Sequence, residues 1–411
     1  MSPAAESPES VGMSKTRLGR IKPAMQSYVD RGIYAGVSTL IARRGKVVHA
    51  AEVGWQDREA KTPLSADTIY RLYSMTKPIV CTALMTLFEE GRFTLFDPVA
   101  KYIPSFAGVK VREADGSLVA PKRPMMVRDV MAHTSGLGYH FLDDTPINKS
   151  YERGKVSDPS ASLKDAIDDL AQFPLAFHPG SRWQYSVGID VAARLIEAVS
   201  GRPLDRFLSE RLFEPLRMND TGFSVAPDKR GRVSAMYGRP DIFTAVTIAG
   251  QMQAWSKGVN DRIDVSKSYP VDRPETFQRG GHGLFSTTGD YYRFAQMLAN
   301  GGQLDGARVI GRKTLDLMHL NCVPPGHLPL EIGGLPLPGY GFGLGSRVLM
   351  DVAQSGAPGS VGEFGWSGAA KTTYWVDPKE QLVGVFMTQS MQSFDLPELE
   401  LRALAYQAIV D

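Results

Sequence analysis

Residues 68–91 read TIYRLYSMTKPIVCTALMTLFEEG, and this stretch joins an extended run to a mostly buried helix. Residues 68–73 have the composition of a short strand, whereas the apolar segment that follows is typical of a helix ended by Gly91. At the junction, Ser74 and Lys77 stand three residues apart. Because residues three apart on a helix share one face, the Lys77 amine can reach the Ser74 hydroxyl.

This spacing is that of an active-site serine with a built-in base. A serine hydroxyl is a weak nucleophile near neutral pH and needs a neighbour that accepts its proton. A partly desolvated lysine has a lowered pKa and can do this. The free N–H groups and dipole of a helix N-terminus also favour negative charge on the reacting oxygen. Alone, the four residues are more simply explained by a capping serine and a solvated lysine, since a chain of this length shows about one such spacing by chance.

The composition is that of a soluble globular protein with a sizeable core. Of the 411 residues, 43% are hydrophobic and 22% are charged. Lys and Arg number 46 against 44 Asp and Glu, and no basic block or tail occurs. We therefore expect no nucleic-acid partner. The length permits two or three domains.

The N-terminal residues and the cysteines indicate the cellular compartment. Residues 1–10 lack the basic and apolar regions of a secretory signal, and no apolar run approaches the length of a membrane-spanning helix. Cys81 and Cys322 fit a reducing compartment and make no metal-ligand spacing. The simplest interpretation is a cytoplasmic enzyme with no membrane partner, no metal and no cofactor, unless a leader has been removed.

Both ends of the chain carry strand and helix patterns. Residues 15–31 predict an amphipathic helix. Residues 37–42 and 47–51 flank Arg43-Arg44-Gly45-Lys46 and predict a hairpin. Towards the C-terminus the predicted elements are strands over residues 340–345, 371–376 and 382–387, a turn at residues 377–380 and a helix over residues 397–410.

The middle of the chain predicts helices joined by long polar connections, over residues 127–133, 163–173, 188–200 and 204–212. We therefore predict an α/β (α+β) fold, in which both chain ends form one antiparallel sheet flanked by helices and a largely helical part is inserted between them. The predicted domains are residues 10–90 with 280–411, and residues 91–279, with the active site at their interface.

Three further segments give the tetrapeptide a specific context. In chain order they are MAHTSGL at residues 131–137, PGSRWQYS at residues 179–186 and GWSGA at residues 365–369. In this order and at these separations, the set resembles the serine β-lactamase and penicillin-binding-protein superfamily, specifically the class C-like esterases called family VIII carboxylesterases. The resemblance covers roughly residues 10–405 and implies a β-lactamase/transpeptidase-like fold.

The resemblance implies roles for particular residues. Ser74 occupies the family's nucleophile position with Lys77 as its partner, and Tyr185 occupies the tyrosine of a Tyr-x-Asn element. Val187 replaces the asparagine of that element, which in β-lactamases helps to hold the amide side chain of the substrate. This departure argues against a dedicated β-lactamase.

A second departure lies at Trp366-Ser367-Gly368, where β-lactamases have Lys-Thr-Gly. The Trp-x-Gly form is similar to the esterase branch. Loss of the lysine removes a positive charge suited to a substrate carboxylate, and tryptophan adds an apolar wall suited to an uncharged acyl or alcohol group. We expect Trp366 and Gly368 to bind the substrate. The family geometry implies an oxyanion hole made by the backbone N–H groups of Ser74 and Ala369.

Taken together, the resemblance implies a serine carboxylesterase that hydrolyses short-chain carboxylic esters of small molecules through an acyl-enzyme on Ser74, with weak β-lactam hydrolysis as a side activity. Lys77 and Tyr185 are expected to share the base role. The alternatives within the fold are a β-lactamase, a D-amino-acid peptidase or amidase, and an acyltransferase to an alcohol. A catalytically silent binding relative is the alternative from another class. The sequence does not indicate the oligomeric state.

Other motifs invite different interpretations. His133 suggests a Ser-His triad, but we predict that it holds its loop. Tyr139 is predicted to line the pocket. Residues 358–362, PGSVG, have proline where the G-x-S-x-G of α/β-hydrolases needs glycine, which weakens that alternative.

Two stretches are predicted to lie near the pocket. Residues 280–290, GGHGLFSTTGD, look like a phosphate loop but lack G-x-x-x-x-G-K-[ST], and we predict a tight turn followed by a helix from Tyr291. The chain between residues 224 and 279, which includes Trp255, is expected to shape the pocket.

Overall fold

The computed structural model describes residues 6–142, 145–238, 261–273, 276–391 and 397–411, so Trp255 lies outside the described residues. The α-helices, numbered along the chain, are α1 (Lys15–Leu18), α2 (Ile21–Asp30), α3 (Thr76–Glu89), α4 (Val127–Met131), α5 (Pro146–Ser150), α6 (Leu163–Leu170), α7 (Gly188–Ser200), α8 (Leu204–Leu208), α9 (Thr288–Ala299), α10 (Arg312–Met318), α11 (Val352–Ser355) and α12 (Pro397–Tyr406).

The strands, numbered likewise, are β1 (Gly36–Arg43), β2 (Lys46–Asp57), β3 (Thr62–Pro63), β4 (Tyr70–Arg71), β5 (Val111–Arg112), β6 (Leu118–Val119), β7 (Met236–Gly238), β8 (Arg262–Ile263), β9 (Phe285–Ser286), β10 (Gln303–Leu304), β11 (Ala307–Arg308), β12 (Leu330–Ile332), β13 (Leu335–Leu337), β14 (Tyr340–Phe342), β15 (Arg347–Leu349), β16 (Phe364–Ser367), β17 (Thr373–Asp377), β18 (Leu382–Met387) and β19 (Ser390–Met391).

Both ends of the chain build one eight-stranded antiparallel sheet. Its strand order is β14-β15-β16-β17-β18-β1-β2-β3, so the N-terminal hairpin joins the C-terminal strands where β1 pairs with β18. Leu40 lies opposite Val385 in that pairing. In the turn between β1 and β2, Arg44 and Gly45 both have positive φ, as the commonest two-residue hairpin turn requires. The predicted α+β fold is confirmed.

The central strands are buried on both faces, because helices cover each side of the sheet. On one face Ile41, Trp375 and Phe386 pack against α2 and α12. On the other face, Leu40 and Val385 join a core that includes α3 and α9. Successive residues of a strand point to opposite faces, which is why neighbours such as Leu40 and Ile41 serve different cores.

The middle of the chain is helical, as predicted, with short strand pairs between the helices. Helix α7 begins and ends where predicted, and α3 packs against it. The predicted helix over residues 204–212 is two pieces, since α8 passes into a π-helical turn at Ser209–Phe213. The division into domains at residues 91 and 279 stays a prediction.

Several predicted boundaries were wrong. The helix expected over residues 15–31 is divided between α1 and α2, because Pro23 has no N–H and its ring crowds the carbonyl four residues earlier. The helix expected from Tyr291 begins at Thr288, since Thr287 caps it by accepting the N–H of Asp290 at 3.0 Å.

The C-terminal elements also differ in extent from their predictions. The closing helix ends at Tyr406 rather than at residue 410. Segment 365–369 was expected to lead into a strand, but its first three residues belong to β16 itself. Among the helices in the described part of the chain, none is long and apolar enough to cross a membrane.

Candidate active site

The candidate nucleophile lies where a strand passes into a buried helix. Tyr73–Met75 form one 3₁₀ turn, and α3 continues directly from it. Tyr73 has a φ of 48°, in the left-handed region that non-glycine residues rarely occupy. Its buried ring packs against Tyr269 with 4.8 Å between ring centroids, which holds the strained turn in place. Ser74 therefore lies in the first turn of the helical segment.

Two side chains donate hydrogen bonds to the Ser74 hydroxyl. Lys77 Nζ lies 3.0 Å from Ser74 Oγ, so the amine reaches the hydroxyl as the S-x-x-K spacing predicts. The Tyr185 hydroxyl, from the segment just before α7, lies 2.6 Å from the same oxygen. The structure thus brings together the three residues that the sequence singles out for the reaction.

The Lys77 ammonium is fully buried and held from several directions. Its Nζ also donates to the backbone carbonyl of Gly281 at 2.7 Å. The same nitrogen lies 4.7 Å from the centroid of the Tyr185 ring and 5.3 Å from that of Tyr139. Aromatic faces attract cations, so these contacts restrict the lysine to the neighbourhood of Ser74.

A buried carboxyl group lies close behind the lysine. Asp190, near the start of α7, accepts the backbone N–H of Gly281 at 3.0 Å through Oδ1. Burial raises the pKa of Asp190, and the positive charge of Lys77 opposes that rise. A Cβ atom at Gly281 would lie 2.6 Å from Asp190 Oδ2 and 2.7 Å from the Tyr139 hydroxyl, so a side chain there would displace one of them. The sequence analysis did not identify Asp190 as a site residue. The glycines at residues 280, 281 and 283 were the one sequence feature that indicated a close approach of another segment to this loop.

Two histidines near the site are buried and uncharged at neutral pH. Burial, reinforced by the charge of Lys77, lowers the pKa of both His133 and His282. His133 Nδ1 is hydrogen-bonded to Ser186 Oγ at 3.0 Å, and its ring packs against Tyr185. No hydrogen bond joins it to Ser74 in the part of the chain that the structure describes. This arrangement agrees with the predicted loop-holding role and not with a Ser-His triad.

Residues at and after the end of β16 face the nucleophile. Ala369 lines the same cavity as Ser74, and no described residue accepts its backbone N–H. Gly368 donates its N–H to the Thr372 carbonyl at 2.7 Å. A Cβ atom at Gly368 would lie 2.2 Å from the Leu72 carbonyl oxygen, so this position needs glycine.

Trp366 contacts the candidate catalytic group directly. Its ring centroid lies 5.5 Å from that of Tyr185, and its Nε1 donates to the Tyr185 hydroxyl at 3.4 Å. Trp366 is buried within β16 opposite Tyr374. The tryptophan therefore forms a wall of the site and helps to hold the tyrosine.

Ser74 opens into one cavity of about 400 Å³, a size within the ~300–1,000 Å³ typical of small-molecule sites. The wall is mostly apolar, and Tyr139 lines it as predicted. The lining residues are Tyr73, Ser74, Tyr139, Phe141, Tyr185, His282, Ile332, Leu337, Tyr340, Arg347, Trp366, Ser367, Gly368, Ala369, Thr373, Glu398, Leu399 and Arg402. Within the described ranges, no group of three or more His, Cys, Asp or Glu side chains is placed to hold a metal ion.

Comparison with known proteins agrees with this geometry. The family model described as Beta-lactamase matches residues 21–408. The chain belongs to the β-lactamase family. Esterase EstB of Burkholderia gladioli, a similar sequence, is 32% identical over 349 residues, which cover 83% of this chain and 82% of EstB.

Solved structures share the fold over nearly the whole chain. EstCE1, described as a hydrolase with promiscuous acyltransferase activity, superimposes with a TM-score of 0.79 at 26% identity, covering 95% of this chain and 99% of EstCE1. A family VIII carboxylesterase superimposes with a TM-score of 0.72 at 20% identity, covering 97% and 99% of the two chains. The second likeness concerns the fold alone.

Within the β-lactamase family, this chain departs from the β-lactamase motifs at two places in the site. Val187 replaces the expected asparagine and is buried, with its backbone N–H donated to the Gly138 carbonyl at 3.1 Å. Trp366 replaces the expected lysine. Trp366 lines the cavity that contains Ser74, so this replacement makes the surroundings of Ser74 more apolar.

Proposed function

We propose that this chain is a serine carboxylesterase of the family VIII type, acting through an acyl-enzyme on Ser74. The observation that carries the proposal is the pair of hydrogen bonds that Ser74 Oγ accepts from Lys77 and Tyr185 beside an apolar cavity. The likeness to Esterase EstB and to the hydrolase EstCE1 supports an ester as the substrate.

In the first step, Ser74 Oγ attacks the ester carbonyl while its proton passes to the Lys77–Tyr185 pair. One member of the pair must be deprotonated to take this proton, and the other stays protonated. The carbonyl oxygen becomes an oxyanion, for which the backbone N–H groups of Ser74 and Ala369 are the proposed donors. Collapse of this intermediate breaks the bond to the alcohol, which leaves with a proton from the pair.

In the second step, water attacks the acyl group on Ser74. The same pair takes a proton from the water and returns one to Ser74 Oγ as the bond to the acyl group breaks. The carboxylic acid then leaves and the free enzyme is restored. Burial of Lys77 and its bond to the Gly281 carbonyl keep the lysine in place through both steps.

Trp366 and Gly368 are the proposed substrate-binding residues beside the reacting carbonyl. The Trp366 ring gives an apolar surface for an acyl or alcohol group. Gly368 lets the backbone approach the substrate closely. Short-chain esters remain the proposed substrates, with weak β-lactam cleavage as a side activity.

The test compares hydrolysis of p-nitrophenyl butyrate and of a chromogenic cephalosporin. The proteins are the wild type, Ser74→Ala and, as a matched control, Ser117→Ala at an exposed serine. We expect fast ester cleavage, slow or absent lactam cleavage, and loss of both only in Ser74→Ala. Dominant lactam cleavage would favour a β-lactamase or a D-amino-acid peptidase or amidase. Ester activity that survives without Ser74 would overturn the nucleophile and revive the silent binding relative.

Acyl transfer to an alcohol is the second candidate, because the cavity is mostly apolar and EstCE1 is described as having acyltransferase activity. The acyl-enzyme would then be attacked by an alcohol in place of water. Added butanol tests this: a butyl ester product that exceeds the acid at low butanol concentration supports transfer. A product ratio that follows the butanol-to-water ratio means that the site does not select an alcohol.

We also propose a cytoplasmic location. Cys81 and Cys322, the two cysteines of the chain, are both free thiols, as is usual in a reducing compartment. Fractionation of the host cell with antibody detection would test this, and recovery with the cell exterior would contradict it.

A further inference from the structure

The wall of the active-site cavity contains a positive charge that the proposed reaction does not use. Arg347, at the start of β15, lines the same cavity as Ser74. Within the described ranges, its guanidinium makes neither an ion pair nor a hydrogen bond. Its position is set by the Tyr340 ring, over which the guanidinium carbon lies 5.2 Å from the centroid.

The strand register gives Arg347 access to the space beside the substrate-binding strand. Arg347 lies opposite Gly365 in the β15–β16 pairing, one residue before Trp366. Gly365 presents no side chain to Arg347, and a Cβ atom there would lie 2.2 Å from the Tyr374 carbonyl oxygen. Residues two apart on a strand share a face, so the Ser367 side chain lies on the Arg347 side of the sheet.

The nearby carboxylates already have cationic partners. Glu363 is held by Arg402 through two bonds of 2.6 and 2.9 Å and accepts the Tyr406 hydroxyl at 2.9 Å. Glu398 is paired with Lys371 at 3.3 Å. Burial raises the pKa of Glu363, and the charges of Arg402 and then of Arg347 oppose that rise. The charge of Arg347 therefore reaches this region, although no hydrogen bond or ion pair joins it to Glu363.

A partly buried guanidinium without a partner is a strong site for a carboxylate. The planar fork of arginine matches a carboxylate with two parallel hydrogen bonds, and such charge-assisted bonds are stronger than neutral ones. Glu398 and Arg402 also line the cavity, but each is ion-paired, with Lys371 and Glu363 respectively. Most of the remaining wall is apolar, so the unpaired charge of Arg347 would also orient a ligand.

We infer that Arg347 binds a carboxylate on the substrate, so that the enzyme prefers esters that carry a second, anionic group away from the scissile carbonyl. This inference rests on the proposed esterase function and names its substrate class. The carboxylate can belong to the acyl part, as in half-esters of dicarboxylic acids, or to the alcohol part, as in esters of hydroxy acids.

The experiment compares each acid with its own neutral methyl ester. The acyl-side pair is 4-nitrophenyl hydrogen glutarate and 4-nitrophenyl methyl glutarate. The alcohol-side pair is 4-butyryloxybenzoic acid and its methyl ester. For one of the two pairs, we expect the wild-type kcat/KM to be about tenfold or more higher for the acid than for its methyl ester, mainly because KM is lower for the acid. Arg347→Met should abolish this preference, and Arg347→Lys should retain part of it.

Arg128→Met is the matched control, because Arg128 also lies over an aromatic ring, Phe96, but does not line the cavity. It should keep the full preference for the acid. A wild type that cleaves the neutral esters equally well or better would overturn the inference and leave the proposed function intact. A preference that persists in Arg347→Met would also overturn it.

Binding without turnover separates this inference from the proposed function. Methyl hydrogen glutarate and dimethyl glutarate are titrated into Ser74→Ala by calorimetry, with and without Arg347→Met. Tighter binding of the acid that disappears with Arg347 supports the site even if no ester is cleaved. Equal binding of the two ligands would overturn it, and circular dichroism checks that each variant is folded.

Discussion

At the residue scale, the proposed chemistry depends on the surroundings of one oxygen. Ser74 Oγ accepts one hydrogen bond from a flexible side chain and one from a rigid ring. The flexible partner, Lys77, is fixed by the Gly281 carbonyl, and the ring of Tyr185 is fixed by Trp366 and His133. Both partners are therefore held in place before a substrate arrives, which is the condition for efficient proton transfer.

Removal of the tyrosine hydroxyl tests its share of that transfer. Tyr185→Phe keeps the ring and its packing but loses the 2.6 Å bond to Ser74. We expect kcat for p-nitrophenyl butyrate to fall by about 10²–10⁴-fold with a smaller change in KM, since this is the usual contribution of a positioned acid or base. Tyr139→Phe, in the same cavity but without a bond to Ser74, is the control and should lose less. Equal losses in the two variants would remove Tyr185 from the reaction.

Sequence spacing identified the contact between Ser74 and Lys77, but not the contacts that these residues' neighbours make with distant parts of the chain. Ser74 and Lys77 are neighbours on one helix, so their contact follows from helix geometry. Lys77 and Gly281 are 204 residues apart, and Asp190 and Gly281 are 91 apart. No local pattern encodes such pairs, because they exist only after α3, α7 and the glycine loop have packed together. The resemblance supplied Tyr185, and nothing in the sequence supplied Asp190.

At the scale of elements, the site is a junction between the start of α3 and the end of β16. The carbonyl oxygen of Leu72 accepts the Thr372 hydroxyl at 3.1 Å, which ties the segment before the helix to the loop after the strand. Gly368 lies in the gap between them. The distance between the two proposed oxyanion donors is therefore set by how closely these two backbones approach.

A methyl group at Gly368 tests this close approach. Its Cβ would lie 2.2 Å from the Leu72 carbonyl oxygen, so Gly368→Ala must move the loop that carries Ala369. We expect kcat to fall by about 10²–10³-fold, the usual effect of losing one oxyanion donor. Gly108→Ala is the control, because a Cβ there meets no atom within 4 Å. Unchanged kcat in folded Gly368→Ala would contradict the proposed oxyanion position.

The kinds of element were easier to predict than their ends. The N-terminal hairpin, α7 and β18 agree with their predicted patterns because each combines a clear periodicity with a turn or cap. The start of α9 was missed by three residues because the Thr287 cap lies inside a glycine-rich stretch that looks like a loop. The strand that contains Trp366 begins earlier in the chain than predicted. Its four residues are too few to show a clear period of two.

At the scale of the whole molecule, the sheet could be predicted as one unit from both chain ends, but its strand order could not. Strong strand patterns lie in residues 36–57 and 373–387. Because the inserted middle of the chain is mainly helical, the strands of both chain ends are expected to form one sheet. Pairing of β1 with β18 depends on which faces the helices α2, α9 and α12 cover. That information comes from packing between segments that are distant in the chain, such as Ser38 of β1 and Thr288 of α9, which are 250 residues apart.

Burial of uncharged histidine predicts how stability depends on pH. The His133 pKa is lowered well below its usual value by burial, whereas in the unfolded chain it is about 6.5. Its contribution to stability is therefore complete above about pH 6.5 and is lost as the pH falls, because the unfolded chain binds a proton that the folded one does not. The loss amounts to about 1.4 kcal/mol per pH unit in the free energy of unfolding.

Urea unfolding at about pH 7.5 and about pH 5.5 measures this dependence. His133→Gln should lose less stability than the wild type between the two values, since one fewer proton is bound on unfolding. His327→Gln, on the loop before β12, is the control for replacing a histidine. An unchanged difference between the two pH values in His133→Gln would show that His133 is protonated in the folded state.

The central claim is that an acyl group passes through Ser74, and trapping that group tests it most directly. The wild type is mixed with p-nitrophenyl butyrate, quenched in acid within the first turnover, digested and analysed by mass spectrometry. We predict one butyryl group on the peptide that contains Ser74, and none on the same peptide from Ser74→Ala. A butyryl group on another residue, or an initial burst of nitrophenol that Ser74→Ala retains, would contradict the account.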